Sequence, residues 1–84
     1  MSPAQKSLLN CAYYGPVGLW CRGGIYRFKA NQDASGNYTE RLVDDIEISQ
    51  LVNCGLVTKE TDGKHHGSMV LTITPKGARE TFIN

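Results

Sequence analysis

The sequence predicts one small α+β domain, ordered as a helix, a β-hairpin, a second helix, a second β-hairpin and a short C-terminal helix. The first two helices have clear start signals, and the β segments alternate apolar and polar residues between clusters of turn-forming residues. The chain has 84 residues, which is enough for a single hydrophobic core. We therefore expect one domain that spans residues 1–84.

The first helix is predicted over residues 3–14, where apolar residues recur at helical spacing. Ser2 and Gln5 have the spacing of a capping box at its start. Gly15 followed by Pro16 is typical of a helix end, with the glycine in the left-handed conformation and the proline preventing continuation.

The next segment has the pattern of a β-hairpin. Residues 19–30 are rich in aromatic and β-branched side chains, with an interruption at two glycines, and apolar and polar positions alternate from Ile25 onward. Residues 31–37 (NQDASGN) are a cluster of turn formers, and residues 38–43 are expected to return as a second strand. A helix over residues 38–43 is the alternative.

A second helix is predicted from Asp44, a good capping residue that is followed by Glu47 at capping-box spacing. Gly55 is expected to end this helix. Its buried stripe is predicted to consist of Ile48, Leu51 and Val52.

The remaining chain is predicted as a strand at 56–61, a loop at 62–68, a strand at 69–74 and a short final helix. The second of these strands alternates, so that one of its faces is more apolar than the other. Thr74 followed by Pro75 is typical of a helix start. Ala78 and Phe82 are four residues apart and would anchor this helix.

Composition and charge argue against a disordered chain, a strongly basic nucleic-acid-binding domain and a membrane-spanning protein. Apolar residues make up 40% of the chain and charged residues 20%, which is a globular balance. Nine basic and eight acidic residues give a formal charge of +1, so nucleic-acid binding would need a local basic patch. No apolar run reaches the length of a signal peptide or a membrane span, and we expect a cytoplasmic protein that does not bind membranes.

The cysteines and histidines lack the spacing of a metal or catalytic site. Cys11, Cys21 and Cys54 are an odd number without a Cys-x-x-Cys pair, which favours a reducing compartment over a disulfide framework. His65 and His66 are adjacent, not three to five residues apart as in zinc sites, and no third group is positioned for a Cys–His nucleophile. We therefore expect no metal, no cofactor and no enzymatic activity.

Residues 48–82 resemble the second half of a winged helix-turn-helix. Residues 51–57 (LVNCGLV) resemble the end of the recognition helix in MarR- and PadR-type bacterial regulators, and residues 71–77 (LTITPKG) resemble the strand after their wing. A standard winged helix has a helix where this chain has the first hairpin. The whole arrangement, with the loop at 33–36 (DASG), is similar to short bacterial and phage proteins with degenerate winged helices, including a topoisomerase-inhibiting toxin. The resemblance implies a winged-helix-like domain that binds DNA or a host protein.

The first functional hypothesis is a DNA-binding module that regulates transcription. The second helix would enter the major groove, where Gln and Asn can pair with adenine, and the wing would hold phosphates. Against this, residues 44–56 contain no Lys or Arg and three acids. The alternative for the second helix is that its polar residues only cap it or face solvent. The alternative for the loop is a plain polar turn, and for the strand residues it is a solvated surface that protects a sheet edge. The candidate DNA contacts are Lys64, His65, His66, Lys59, Ser49, Gln50, Asn53, Arg27 and Lys29.

The second hypothesis is a protein-binding module, such as a phage- or toxin-type inhibitor of a host protein. Tyr and Trp are favoured anchors in interfaces, and Trp20 with Tyr13 or Tyr14 would form a docking patch. The alternative is that these aromatic residues fill the core. The placement of charge favours a protein as the partner, but the family resemblance covers both the second helix and the wing, so a DNA-binding module with double-stranded DNA as its partner is predicted first and the protein-binding module is the alternative. The DNA-binding hypothesis allows a homodimer.

Overall fold

The structure is a computed structural model of the chain, and it describes residues 1–61 and 68–83, with the backbone alone at 82 and 83. These residues confirm the α+β class. Their elements are α1 (Pro3–Tyr14), β1 (Val17–Arg22), β2 (Ile25–Ala30), β3 (Thr39–Asp44), α2 (Asp45–Asn53), β4 (Val57–Thr61), β5 (Met69–Ile73) and α3 (Pro75–Ile83).

The strands form one five-stranded sheet in the order β3-β2-β1-β5-β4. Every neighbouring pair is antiparallel, so the two edge strands, β3 and β4, run in the same direction. The α2 helix connects these two edge strands and contacts both of them. It therefore crosses the sheet from one edge to the other.

The predicted first hairpin has one strand more than expected. Residues 19–30 belong to two strands, β1 and β2, and together with β3 they form a three-stranded meander. Gly23 and Gly24 make the tight turn between β1 and β2, with φ angles of 64° and 82°. A two-residue hairpin turn with positive φ at both positions favours glycine, because glycine has no Cβ to clash. The strand prediction for residues 38–43 is confirmed by β3, and the helical alternative is wrong.

Both predicted capping boxes are present. Gln5 N donates to Ser2 Oγ at 3.1 Å, and Ser2 N donates to Gln5 Oε1 at 2.9 Å. At the second helix, Glu47 N donates to Asp44 Oδ1 at 2.8 Å, and Asp44 N donates to Glu47 Oε1 at 3.5 Å. These reciprocal bonds satisfy N–H groups that a helix start leaves without intrahelical partners.

The two helix ends that contain glycine differ from each other. Gly15 has φ 157° and ψ 173°, so the predicted left-handed conformation is wrong there. Pro16 explains the difference, because its ring forces an extended conformation on the preceding residue. Gly55 has φ 72° and donates to Val52 O at 3.0 Å, while Leu56 N donates to the carbonyl oxygen of Leu51 at 3.0 Å. This is the Schellman end that the sequence indicated for α2.

One hydrophobic core lies between the helices and a single face of the sheet. The predicted stripe of α2 is confirmed, since Ile48 and Leu51 are fully buried and Val52 packs partly buried beside them. Ala78 is half-buried, and the predicted anchor Phe82 lies outside the described side chains. The buried apolar residues are Leu8, Leu9, Ala12, Val17, Leu19, Phe28, Ala30, Val43, Ile48, Leu51, Leu56, Val57 and Leu71.

The start of α3 is held against the segment that follows α2. Thr74 N donates to Leu56 O at 3.1 Å, and the Thr74 hydroxyl donates to Gly55 O at 2.6 Å. Gly77 N donates to Thr74 Oγ1 at 3.0 Å, which confirms Thr74 as the cap of α3. A Cβ atom at Gly77 would lie only 2.1 Å from Leu56 O, so this close approach requires glycine.

We expect Gly77→Ala to lower the free energy of unfolding by about 1–3 kcal/mol, because the added methyl group would push α3 away from Leu56. Alanine is otherwise favoured over glycine in a helix by about 1 kcal/mol, so the sign of the change tests the contact. Urea unfolding followed by circular dichroism measures it.

The matched control is Gly18→Ala in β1, where a Cβ atom would meet nothing within 4 Å. Its stability should stay unchanged or rise, because glycine weakens a strand. A Gly77→Ala variant as stable as the unmodified chain would contradict the close packing of α3.

Candidate functional site

In the part of the chain that the structure describes, no helix covers the face of the sheet opposite the core. We call this the outer face. Ile25 and Leu42 lie on it with 43% and 51% of their surface exposed. One face of an antiparallel sheet is often solvated, but it is then normally polar. The strand registers place there Gly18, Trp20 and Arg22 of β1, Ile25, Arg27 and Lys29 of β2, Glu40, Leu42 and Asp44 of β3, Thr58 and Glu60 of β4, and Val70 and Thr72 of β5.

Trp20, Arg27 and Leu42 form a row across three strands of the outer face. Trp20 is opposite Arg27 in the β1–β2 register, and Arg27 is opposite Leu42 in the β2–β3 register. Ile25 is the diagonal neighbour of Leu42, within reach of a large side chain. The row therefore groups an aromatic residue, a guanidinium and two exposed apolar residues, which are residue types that protein interfaces favour.

Arg27 and Lys29, the two strand residues predicted as DNA contacts, share the outer face, but both contact other groups of the chain. Arg27 Nη1 forms an ion pair with Glu40 Oε1 at 2.7 Å, and the buried Arg27 Nε has no hydrogen-bond partner among the described residues. Lys29 Nζ lies 4.7 Å from the centroid of the Tyr38 ring. The carboxylate of Glu40 therefore offsets the charge of Arg27, whereas Lys29 keeps its charge beside an uncharged ring.

The α1 helix contacts part of the polar surface of α2. Gln5 is buried, and its Nε2 atom donates to Gln50 Oε1 at 2.8 Å and to the backbone oxygen of Glu47 at 3.0 Å. Of the predicted base-reading residues, Asn53 is exposed and Ser49 is half-buried. The side-chain oxygen of Gln50 therefore already accepts a hydrogen bond from Gln5, although Gln50 is exposed.

The predicted wing contacts are only partly described. Lys64, His65 and His66 lie outside the described residues. Lys59 is exposed on β4, but it is opposite Leu71, which points into the core. Because side chains opposite each other lie on the same side of a sheet, Lys59 is on the helix side and not on the outer face. The structure thus separates Lys59 from Arg27 and Lys29.

Two of the three aromatic residues predicted as docking residues lie near each other at the surface. Tyr14 is 82% exposed, so it does not fill the core, and its ring makes an edge contact with Tyr13 at 5.3 Å between centroids. Trp20 is half-buried on the outer face. Tyr14 and Trp20 both line a groove of about 770 Å³ between α1, β1 and the end of β2, whereas Tyr13 does not.

Cys11 lies at this groove and its thiol contacts the end of β2. Its Sγ donates to Lys29 O at 3.9 Å. Burial raises the pKa of the Cys11 thiol, against the opposing effects of the Asn31 backbone N–H and the Arg41 charge. All three cysteines of the chain are free thiols.

Sequence reasoning missed Ile25 and Leu42 as site residues. The signal was present, because each apolar residue is spaced by two or four positions from charged residues and therefore shares their face: Ile25 with Arg27 and Lys29, and Leu42 with Glu40 and Asp44. An apolar residue at a position that alternation assigns to the polar face indicates a contact surface.

No family model, curated protein or solved structure matches this chain. Within residues 1–61 and 68–83, no helix is both long and apolar enough to cross a membrane. The same residues contain no group of three metal-ligating side chains.

We expect a thiol reagent such as Ellman's reagent to label Cys11 more slowly than Cys54 at about pH 8. The raised pKa lowers the thiolate fraction of Cys11 at that pH, and its partial burial limits access, whereas Cys54 is exposed. The rate at Cys11 should keep rising as the pH passes the ordinary thiol pKa. Single-cysteine variants, made with serine at the other two positions, allow each rate to be measured separately. Equal rates would contradict the burial of Cys11.

Proposed function

We propose that this chain is a protein-binding module whose docking surface is the outer face of the sheet. The observation that carries the proposal is the row Trp20–Arg27–Leu42, with Ile25 beside it, on a face that no described helix covers. Exposed apolar side chains that are grouped together and rimmed by charged ones are typical of an interface. Trp and Arg are also the residue types that most often dominate binding energy.

We further propose a winged-helix-like scaffold of the kind found in phage- or toxin-type inhibitors. The order α2, Gly55, β4, β5 and α3 follows the second half of a winged helix. The β1–β2–β3 meander occupies the position where a standard winged helix has the helix before its recognition helix. This arrangement supports the resemblance to degenerate winged-helix proteins, which can bind proteins in place of DNA.

Electrostatics favour a protein over a duplex as the partner. The first turn of α2 carries Asp45 and Glu47, preceded by the cap Asp44. These carboxylates stabilise the helix start, but they would repel the phosphates beside a major groove. Phosphate binding depends on available Lys and Arg side chains, and Arg27 is already paired with Glu40.

Double-stranded DNA is the second candidate partner. The observation in its favour is the exposed Lys59 on β4, just before the segment that contains Lys64, His65 and His66. Lys and His side chains of this kind suit phosphates and the minor groove. Ser49 and Asn53 on α2 would then be the base-contacting residues.

We expect Trp20→Ala and Leu42→Asp each to weaken binding to the protein partner by about tenfold or more, because each change removes an anchor from the outer face. The partner is first captured from a host lysate, purified, and titrated against each variant by isothermal calorimetry. Ile46→Ala is the matched control, since Ile46 is a 69%-exposed apolar residue on α2. Unchanged affinity in both outer-face variants would overturn the proposed docking surface.

Duplex binding gives a separate test. Under the proposed function, a fluorescent duplex should show no binding tighter than about 100 µM at physiological salt, which is the weak end of non-specific affinity. Fluorescence anisotropy measured across a salt series checks this. Tighter binding that falls steeply with salt, and that Lys64→Glu weakens for every sequence tried, would support the DNA-binding candidate instead.

A further inference from the structure

The outer face carries charges of both signs, and each sign is confined to its own strands. The basic side chains lie on β1 and β2, whereas the acidic ones lie on the two edge strands, β3 and β4. A strongly charged partner of either sign would therefore meet repulsion from some of these strands. In the described part of the sheet the basic residues are Arg22, Arg27 and Lys29, and the acidic ones are Glu40, Asp44 and Glu60.

The β2–β3 part of the outer face also carries its most exposed apolar side chains. Ile25 and Leu42 lie there, and Tyr38, the residue before β3, is 46% exposed. The Tyr38 ring lies under Lys29 Nζ, which places it beside the same two strands. An apolar patch is thus flanked by a basic strand, β2, and an acidic strand, β3.

A surface with this pattern can be complementary to itself. In a two-fold symmetric dimer both copies use the same patch, so every contact between two different residues occurs twice. Sheets that pack face to face keep their strands nearly aligned, at about 10 Å from each other. An axis parallel to the strands and midway between β2 and β3 places β2 of each copy over β3 of the other. Each basic strand then faces an acidic one.

The strand register decides which charges meet across this axis. Lys29 and Glu40 are directly opposite each other, so they lie at the same height along the strands. Rotation about the axis preserves that height, and Lys29 of each copy therefore faces Glu40 of the other. Glu40 already pairs with Arg27, but a carboxylate has two oxygens that accept several donors. Lys29 makes no ion pair among the described residues, so its charge can serve a second copy.

We propose that the chain forms a two-fold symmetric homodimer through its outer face, with β2 of each copy over β3 of the other. This inference rests on the proposed function and names the partner as a second copy of the chain. Removing Ile25 and Leu42 of both copies from water provides affinity. The repeated Lys29–Glu40 contact fixes the orientation. A two-fold axis perpendicular to the strands would instead place β2 over β2 and β3 over β3, with like charges together.

Sedimentation equilibrium of the full chain tests the inference. The unmodified chain should show a reversible equilibrium between a monomer of 9.3 kDa and a species of twice that mass. Lys29→Glu and Glu40→Lys should each weaken dimerisation by about tenfold or more, because each change brings two pairs of like charges together. An equimolar mixture of these two variants should restore the dimer, since every facing pair then joins opposite charges.

Arg41→Glu is the matched control. It changes the net charge as Lys29→Glu does, and Arg41 is exposed on β3. Arg41 is opposite the buried Phe28, however, so it lies on the helix side of the sheet and should leave dimerisation unchanged. Circular dichroism checks the fold of each variant. If a charge variant does not fold, Leu42→Asp, at a half-exposed position, decides in its place through loss of the dimer.

Three results would overturn the homodimer. The first is a chain that stays monomeric at about 1 mM, where even a weak dimer with a free energy of about −4 kcal/mol would form. The second is a dimer that neither charge reversal weakens. The third is a mixture of Lys29→Glu and Glu40→Lys that stays monomeric although each variant is folded.

The failure of this inference can be distinguished from the failure of the proposed function. A monomeric chain that binds a different protein, and loses it in Leu42→Asp, would overturn the homodimer and leave the outer face as the docking surface. A dimer that Leu42→Asp abolishes supports the two proposals together. A chain that neither dimerises nor binds any protein through Leu42 would overturn both.

Discussion

The architecture depends on the double pairing of β1, which is the central strand of the sheet. Its first half holds β5, and through β5 the edge strand β4, while its second half holds β2 and β3. A strand that pairs with different neighbours along its length joins the two parts of the sheet. Val17 and Leu19 point from this strand into the core, so the same six residues also anchor the helical layer. The groove and the outer face both include residues of β1.

The interactions that stabilise α2 occupy several of the polar side chains on this helix. Asp44 and Glu47 close the capping box, and carboxylates near a helix N-terminus are favoured by the helix dipole. Gln5 is buried against α2 and would lose hydrogen bonds without Gln50 and the Glu47 carbonyl, which is costly for a buried amide. Lys76 Nζ donates to Cys54 O at 2.9 Å and so contributes its charge to the other end of the helix. Stability and charge at α2 thus favour an internal structural role.

The outer face carries a cost that a binding function would explain. Leaving Ile25 and Leu42 in water forgoes hydrophobic free energy, and exposed apolar groups on a sheet promote aggregation. Charged side chains at β3, including Glu40 and Arg41, limit unwanted pairing at this edge of the sheet. The face thus combines exposed apolar side chains with charged ones on both β2 and β3.

The sequence alone determined the features that arise within a few residues of chain. The capping boxes at Ser2 and Asp44, the glycine end at Gly55 and the cap at Thr74 each involve neighbours along the chain, so local chemistry decides them. The tertiary structure decided which strands are neighbours, which face the helices cover, and hence that Trp20 and Arg27 share a surface from which Lys59 is excluded. Alternation along a strand defines two faces but not which one is buried, because that choice depends on contacts between residues far apart in the sequence.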